Sequence, residues 1–139
     1  VVASTQASFI QAFSKIGLIP DSGGTYFLPR LVGFQKASAL AMLGDKVSAE
    51  EAERIGMIYK VFPTESFESS SLSIASVLSN MPTEGLALTK QALNESVSNN
   101  LNQQLQSEDT LQKKAAATTD YQEGINAFME KRTPVFKGK

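Results

Sequence analysis

One carboxylate stands out by its neighbours. In residues 17–30, GLIPDSGGTYFLPR, Asp21 lies between Pro20 and the small residues Ser22, Gly23 and Gly24, at the mouth of an apolar run that opens with Tyr26, Phe27 and Leu28. Pro20 fixes its own φ and drives Ile19 toward extended geometry, so the chain is expected to leave a strand over residues 17–19 and turn at Asp21. The glycines let the backbone approach another group closely, and such a loop aims a side chain into a cavity. A carboxylate held there is a candidate general acid or base. The alternative is that Asp21 or Ser22 only caps the following helix, accepting backbone N–H bonds at its start. The chain has no cysteine and no histidine. Thiolate nucleophiles, disulfides, the usual zinc sites and a Ser-His-Asp triad are therefore excluded, and chemistry falls to carboxylates, amines, hydroxyls and backbone dipoles. Gly23 and Gly24 lack the spacing of a phosphate loop, which leaves close backbone packing as their role.

The elements that must hold this loop can be read on either side of it. Residues 1–3 are a short apolar run, and residues 7–13 alternate with Ala7, Phe9, Gln11 and Phe13 on one face. Both are expected as strands, with a tight connection over residues 4–6. A helix is expected from Gly24 toward Leu31, tolerating Pro29 only near its end, with Arg30 solvated or capping. A second helix is expected over residues 34–43, closed by Gly44. A third is expected over residues 48–56, with Ser48 and Glu51 forming a capping box, Val47 stapled to Ala52, and Gly56 as the stop. Residues 57–62 read as a short strand ended by Pro63.

From Thr64 the pattern changes to long polar–apolar helices without strands, which sets an organisational boundary between residues 1–63 and 64–139. Phe67, Ile74, Leu78 and Met81 recur at helical intervals, and Pro82 opens the next helix, with Leu86, Leu93 and Val97 on its apolar side. Residues 101–117 carry a thin edge of Leu101, Leu105, Leu111 and Ala115 among many glutamines. So polar a helix is expected to face solvent or to pack on another chain through its amides. Asp120 and Glu123 are expected to cap the last helix, whose stripe is Tyr121, Ile125, Phe128 and Met129, with Pro134 ending it. Lys131 and Arg132 follow Phe128 by about one turn. A solvated basic helix end, with Phe128 in the core, accounts for that cluster on physical grounds alone.

Length and composition suit one globular domain: 139 residues, 42% hydrophobic, with 13 basic against 14 acidic side chains. That charge balance argues against a nucleic-acid partner. No run of about 18 apolar residues and no charged-then-apolar leader is visible, so a soluble, cytoplasmic protein is expected. The sequence opens without methionine at Val1-Val2-Ala3, in what reads as a strand with no partner, and is expected to be the C-terminal portion of a longer protein.

GLIPDSGGTYFLPRLVG, its continuation KASALAMLGDKVSAEEAERIGMIYKVF and the tail AFMEKRTPVFKGK together resemble the crotonase, or enoyl-CoA hydratase/isomerase, superfamily over almost the whole chain. Proline followed by aspartate in IPDSGG is most similar to the 1,2-epoxyphenylacetyl-CoA isomerase branch of phenylacetate degradation. The resemblance implies an α/β, ClpP/crotonase-like fragment: two or three short strands at the end of the spiral core, then a mostly helical C-terminal trimerisation region. It implies a CoA-thioester isomerase with Asp21 as acid and base, and substrate contacts from Phe13, Leu18, Ile19, Pro20 and Gly23. Leu18, Ile19 and Phe13 are expected to keep the carboxyl poorly solvated. Phe13 stands where the family's hydratases carry a catalytic glutamate, and an aromatic ring cannot activate water. Phe128 and Lys131 are implied to contact CoA, the ring on the base and the cation on phosphate. No resident cofactor and no metal are implied, since coenzyme A belongs to the substrate. A homotrimer, or a dimer of trimers, would form through the C-terminal helices. Oxyanion donors would come from a GGG-containing loop outside this sequence. An enoyl-CoA hydratase-like protein and a non-catalytic helical assembly fragment are the alternatives.

Overall fold

In the computed structural model, which describes residues 1–139, β1 (Val2–Ser4) runs parallel to β4 (Lys60–Phe62), Val2 opposite Lys60 and Ser4 opposite Phe62. A second pair, β2 (Ser8–Phe9) with β3 (Val47–Ser48), is antiparallel. Between them lie α1 (Gly24–Val32) and α2 (Phe34–Leu43), and α3 (Ala49–Arg54) follows β3 directly. The remaining helices are α4 (Phe67–Ser79), α5 (Thr83–Ser96), α6 (Leu101–Ala116) and α7 (Thr119–Glu130). The chain divides into two compact units, Val1–Leu72 and Ser73–Lys139, and the division falls inside α4, just past the compositional change at Thr64.

In the first unit the strands and helices α1 to α3 close over one small core of Ala3, Leu28, Ala37, Leu40, Val47, Ala49, Ala52 and Ile58. Alanine dominates at the helix contacts, which lets backbones approach closely at the expense of apolar area per residue. The strand expected over residues 7–13 is only two residues long. Its partner β3 has only Val47 and Ser48 to offer before Ser48 turns into the cap of α3, so the ladder stops and Ala12–Ile16 winds into a 3₁₀ turn. Residues 17–19 accordingly leave a 3₁₀ turn rather than a strand, through Gly17 at φ 76°. Strand β4 is likewise shorter than the 57–62 run.

Helix ends carry the sequence signals in part. Gly44, at φ 62°, closes α2 with its N–H on the Leu40 carbonyl. The Ser48 hydroxyl accepts from the Glu51 N–H at 3.2 Å, but the reciprocal half of the capping box is absent. The Glu51 carboxylate instead accepts from Arg54 at 2.6 and 2.7 Å and from Lys36 at 3.3 Å. Those cations, Arg54 first, hold the Glu51 carboxyl down at about 2. Pro29 is accommodated inside α1, and Arg30 at its end donates to the Tyr26 carbonyl with its guanidinium over the Tyr26 ring.

The second unit is helical. Asn100 and Gln103 form a full capping box at the start of α6. The glutamine-rich face of α6 is used within the chain: Gln104 donates to the Ala92 carbonyl of α5 at 3.1 Å and accepts from Asn99, and Ser107 donates to Glu95. Leu111 is the buried residue of that helix, while Leu101 and Leu105 are exposed. No helix is long and apolar enough to cross a membrane.

Candidate functional site

Asp21 is not a helix cap. The N-cap of α1 is Gly23, at φ 80°, with no side-chain cap bond, and Ser22 beside it also stands in the left-handed region at φ 51°. Two successive left-handed residues fold the loop so tightly that the Asp21 backbone carbonyl, not its side chain, takes the Gly24 N–H at 2.7 Å. Glycine is required at the second of these positions, because a Cβ there would meet the Phe27 ring at 3.0 Å in addition to its backbone cost. The Asp21 carboxylate is exposed and makes no hydrogen bond or ion pair. The turn ahead of helix α1 thus presents a charged group with no structural duty.

The expected desolvation of that carboxyl is not found within this chain. Leu18 is 58% exposed and Ile19 78% exposed, because residues 18–21 run over the surface and nothing in the first unit covers them. Phe13 sits half-buried on the 3₁₀ turn. A cavity of about 580 Å³ opens on the neighbouring residues: Ser22, Gly23 and Gly24 form one edge, with Phe9, Phe27 and Met57 among its apolar walls. Asp21 stands outside that wall, one residue from it. Pro20 lines a smaller apolar hollow of about 200 Å³ with Phe34 and Met42. Of the expected substrate contacts, the structure therefore joins Gly23 to the larger cavity and Pro20 to the smaller one. Phe13, Leu18 and Ile19 line neither.

Sequence reasoning passed over Gln11 and Asp45, which also line the larger cavity. The Gln11 side-chain oxygen is buried without a partner, as is the Ser14 hydroxyl. The only cue to Asp45 was its place directly after the helix-ending Gly44.

The second site lies on α7 and the tail after it. Phe128, which a plain basic helix end would have placed in the core, is 82% exposed. It lines an apolar groove of about 400 Å³ with Tyr121, Ile125, Phe136 and Pro82. Lys131 is exposed and closes α7 in the left-handed conformation, φ 55° and ψ 39°, with its N–H on the Ala127 and Phe128 carbonyls. Helix α7 therefore ends at Glu130, before Pro134 is reached.

Asp120 and Glu123 do not cap α7; Thr118 does, its hydroxyl accepting from the Tyr121 N–H at 3.1 Å. The two carboxylates reach the tail instead. Glu123 accepts from Arg132 at 2.6 and 2.9 Å and from the Val135 N–H at 2.8 Å. Those bonds, the guanidinium first, hold its carboxyl at about 2, and the same contact raises the Arg132 guanidinium. Asp120 is 2% exposed, and its two oxygens separately accept the N–H groups of Lys137 and Gly138, each at 2.7 Å. The cap was misassigned because Thr118 and Thr119 precede Asp120, and a tail that folds back has no local sequence signal.

The model of the family described as enoyl-CoA hydratase/isomerase matches residues 1–139. The chain is 46% identical over 139 residues to the 1,2-epoxyphenylacetyl-CoA isomerase of Escherichia coli K12, covering all of this chain and 53% of that protein. It is 37% identical over 139 residues to the 2,3-dehydroadipyl-CoA hydratase of the same organism, covering all of this chain and 54% of that protein. The crystal structure of an enoyl-CoA hydratase from Bacillus anthracis superposes with a TM-score of 0.93 at 33% identity, over 99% of this chain and 54% of that one. The chain spans about half the length of the relatives it matches.

Proposed function

Because this chain belongs to the enoyl-CoA hydratase/isomerase family, we propose that it forms part of a soluble, cytoplasmic acyl-CoA isomerase of the crotonase type. Asp21 is its acid and base. A thioester acidifies the α-proton of its acyl group; Asp21 takes that proton and returns it to a more distant carbon, so that a double bond shifts with no net gain or loss of atoms. The enolate oxygen formed between the two transfers needs backbone donors, and those lie outside this polypeptide. Coenzyme A enters as part of the substrate, with Phe128 and Lys131 as its contacts.

One observation carries this reading: the Asp21 carboxylate is free of any capping or ion-pair role, although two left-handed residues are spent on the turn that presents it. Segments outside this chain would have to cover Leu18 and Ile19 for the carboxyl to be shielded from water. The similarity to the 1,2-epoxyphenylacetyl-CoA isomerase supports a ring-epoxide of phenylacetyl-CoA as substrate, with a fatty enoyl-CoA as the nearest variant.

A hydratase is the second reading, favoured by the hydratase relative. Against it stands Phe13, which has no group to activate water. Assembly as a homotrimer or a dimer of trimers through the C-terminal helices is part of the proposal, and the exposed Leu101 and Leu105 of α6 support it. The deciding experiment compares isomerisation and hydration of CoA thioesters by the full-length protein and its Asp21→Asn variant. Isomerase activity that depends on Asp21 is expected. Hydration without isomerisation, or full isomerase activity in the variant, overturns the assignment.

A further inference from the structure

The nine-residue stretch after α7 makes no regular structure of its own, yet it is tied down at every turn. Arg132 folds back on Glu123, Val135 donates to the same carboxylate, and Lys137 and Gly138 donate to Asp120. The last carbonyl, of Lys139, accepts from the Asp120 N–H at 3.0 Å and from the Thr119 hydroxyl. The tail thus runs back along α7 toward that helix's first turn, and Phe136 is carried over Gly124, where a Cβ would stand 3.7 Å from its ring. Phe136 becomes one wall of the groove that Phe128 and Tyr121 also line.

We infer that Asp120 is a positioning residue for ligand binding: by holding the Lys137 and Gly138 amides it fixes the tail so that Phe136 completes the groove beside Phe128. Asp120 is the only buried charged residue of the chain, and both of its oxygens are committed to tail backbone. A buried carboxylate survives in the interior only where hydrogen bonds replace its water, and here the tail alone supplies side-chain-directed donors. The fit is specific at the other end as well. Gly138 adopts φ 73°, and a Cβ added there would lie 2.5 Å from the Thr83 hydroxyl oxygen. Asn at position 120 offers one acceptor oxygen and turns its amide N–H₂ toward the second donor, so one of the two bonds is lost and a donor faces a donor.

This inference rests on the reading that the Phe128 groove takes coenzyme A. The test uses the full-length protein with Asp120→Asn, Gly138→Ala, Phe136→Ala and Phe128→Ala, read by calorimetric titration with CoA and by hydrogen exchange of the tail amides. Losing an aromatic wall should weaken CoA binding about three- to tenfold. Asp120→Asn and Gly138→Ala should each reproduce that loss and speed exchange at Lys137 and Gly138 while leaving α5 and α6 protected. Asp120→Asn combined with Phe136→Ala should bind no more weakly than Phe136→Ala alone. Gly138→Ala loosens the tail without touching α7, so it carries the test if Asp120→Asn does not fold. Full CoA affinity in Asp120→Asn or Gly138→Ala, alongside a weakened Phe136→Ala, overturns the positioning role, as do losses that simply add. Unchanged affinity in both Phe136→Ala and Phe128→Ala removes the groove as a CoA site and this role with it.

Discussion

Lys131 allows stability and ligand affinity to be separated by one pair of substitutions. The chain closes α2 with Gly44 at φ 62°, yet closes α7 with a lysine at φ 55°. A left-handed conformation costs an L-residue about 1–2 kcal/mol. Glycine relieves that strain but loses about 0.4–1 kcal/mol through the greater freedom of its unfolded chain. Lys131→Gly should therefore gain about 0.5–1 kcal/mol, while Lys131→Ala keeps the strain and gains nothing. If the ammonium meets a CoA phosphate, both variants lose an exposed charge contact worth about 1 kcal/mol, or about fivefold in Kd. Denaturant unfolding gives the first quantity and CoA titration the second, with Lys137→Ala as the cation whose loss should leave affinity unchanged. A more stable Gly variant that binds as weakly as the Ala variant is the expected outcome. A Gly variant no more stable than the Ala variant refutes the strain argument, and wild-type affinity in both refutes the phosphate contact.

Three further outcomes are expected. Asp21→Asn should lower isomerase turnover by about 10² or more while leaving the unfolding midpoint in place, since its carboxylate bonds to nothing in the chain; a large stability change would mean a structural duty after all. The folded-state depression of Glu123 to about 2 makes its contribution to tail order complete above the ordinary carboxyl range and lost as pH falls toward that value. Exchange at the Val135 amide should accelerate over that acid window, and Glu123→Gln should flatten the dependence. Ser48→Ala removes the cap bond to the Glu51 N–H and should cost about 1 kcal/mol in urea unfolding.

Local signals in the sequence were reliable where one turn of chain decides the outcome. Gly44 after Leu43, Ser48 before α3 and the span of α2 are all set by residues within four positions of each other. Signals failed where a distant segment competes. The alternation of residues 7–13 reads as a strand, but its length was decided by a partner that has only two residues before a helix begins. Asp120 and Glu123 have the composition of caps, and the tail some 15 residues on claimed both carboxylates. At the Asp21 turn the motif was legible and its geometry was not: no sequence rule predicts that Ser22 takes φ 51° and leaves the preceding carboxylate unengaged.

The parallel pairing of β1 with β4 also governs when the first unit can assemble. Val2 finds Lys60 only after nearly the whole unit has been synthesised, whereas α1, α2 and α3 form from neighbouring residues. Loop closure of that span is an entropic debt settled last. On the ribosome the edge of β1 that takes β4 must therefore wait while the helices behind it condense, and a nascent chain halted anywhere before Lys60 would leave that edge for chaperones to guard.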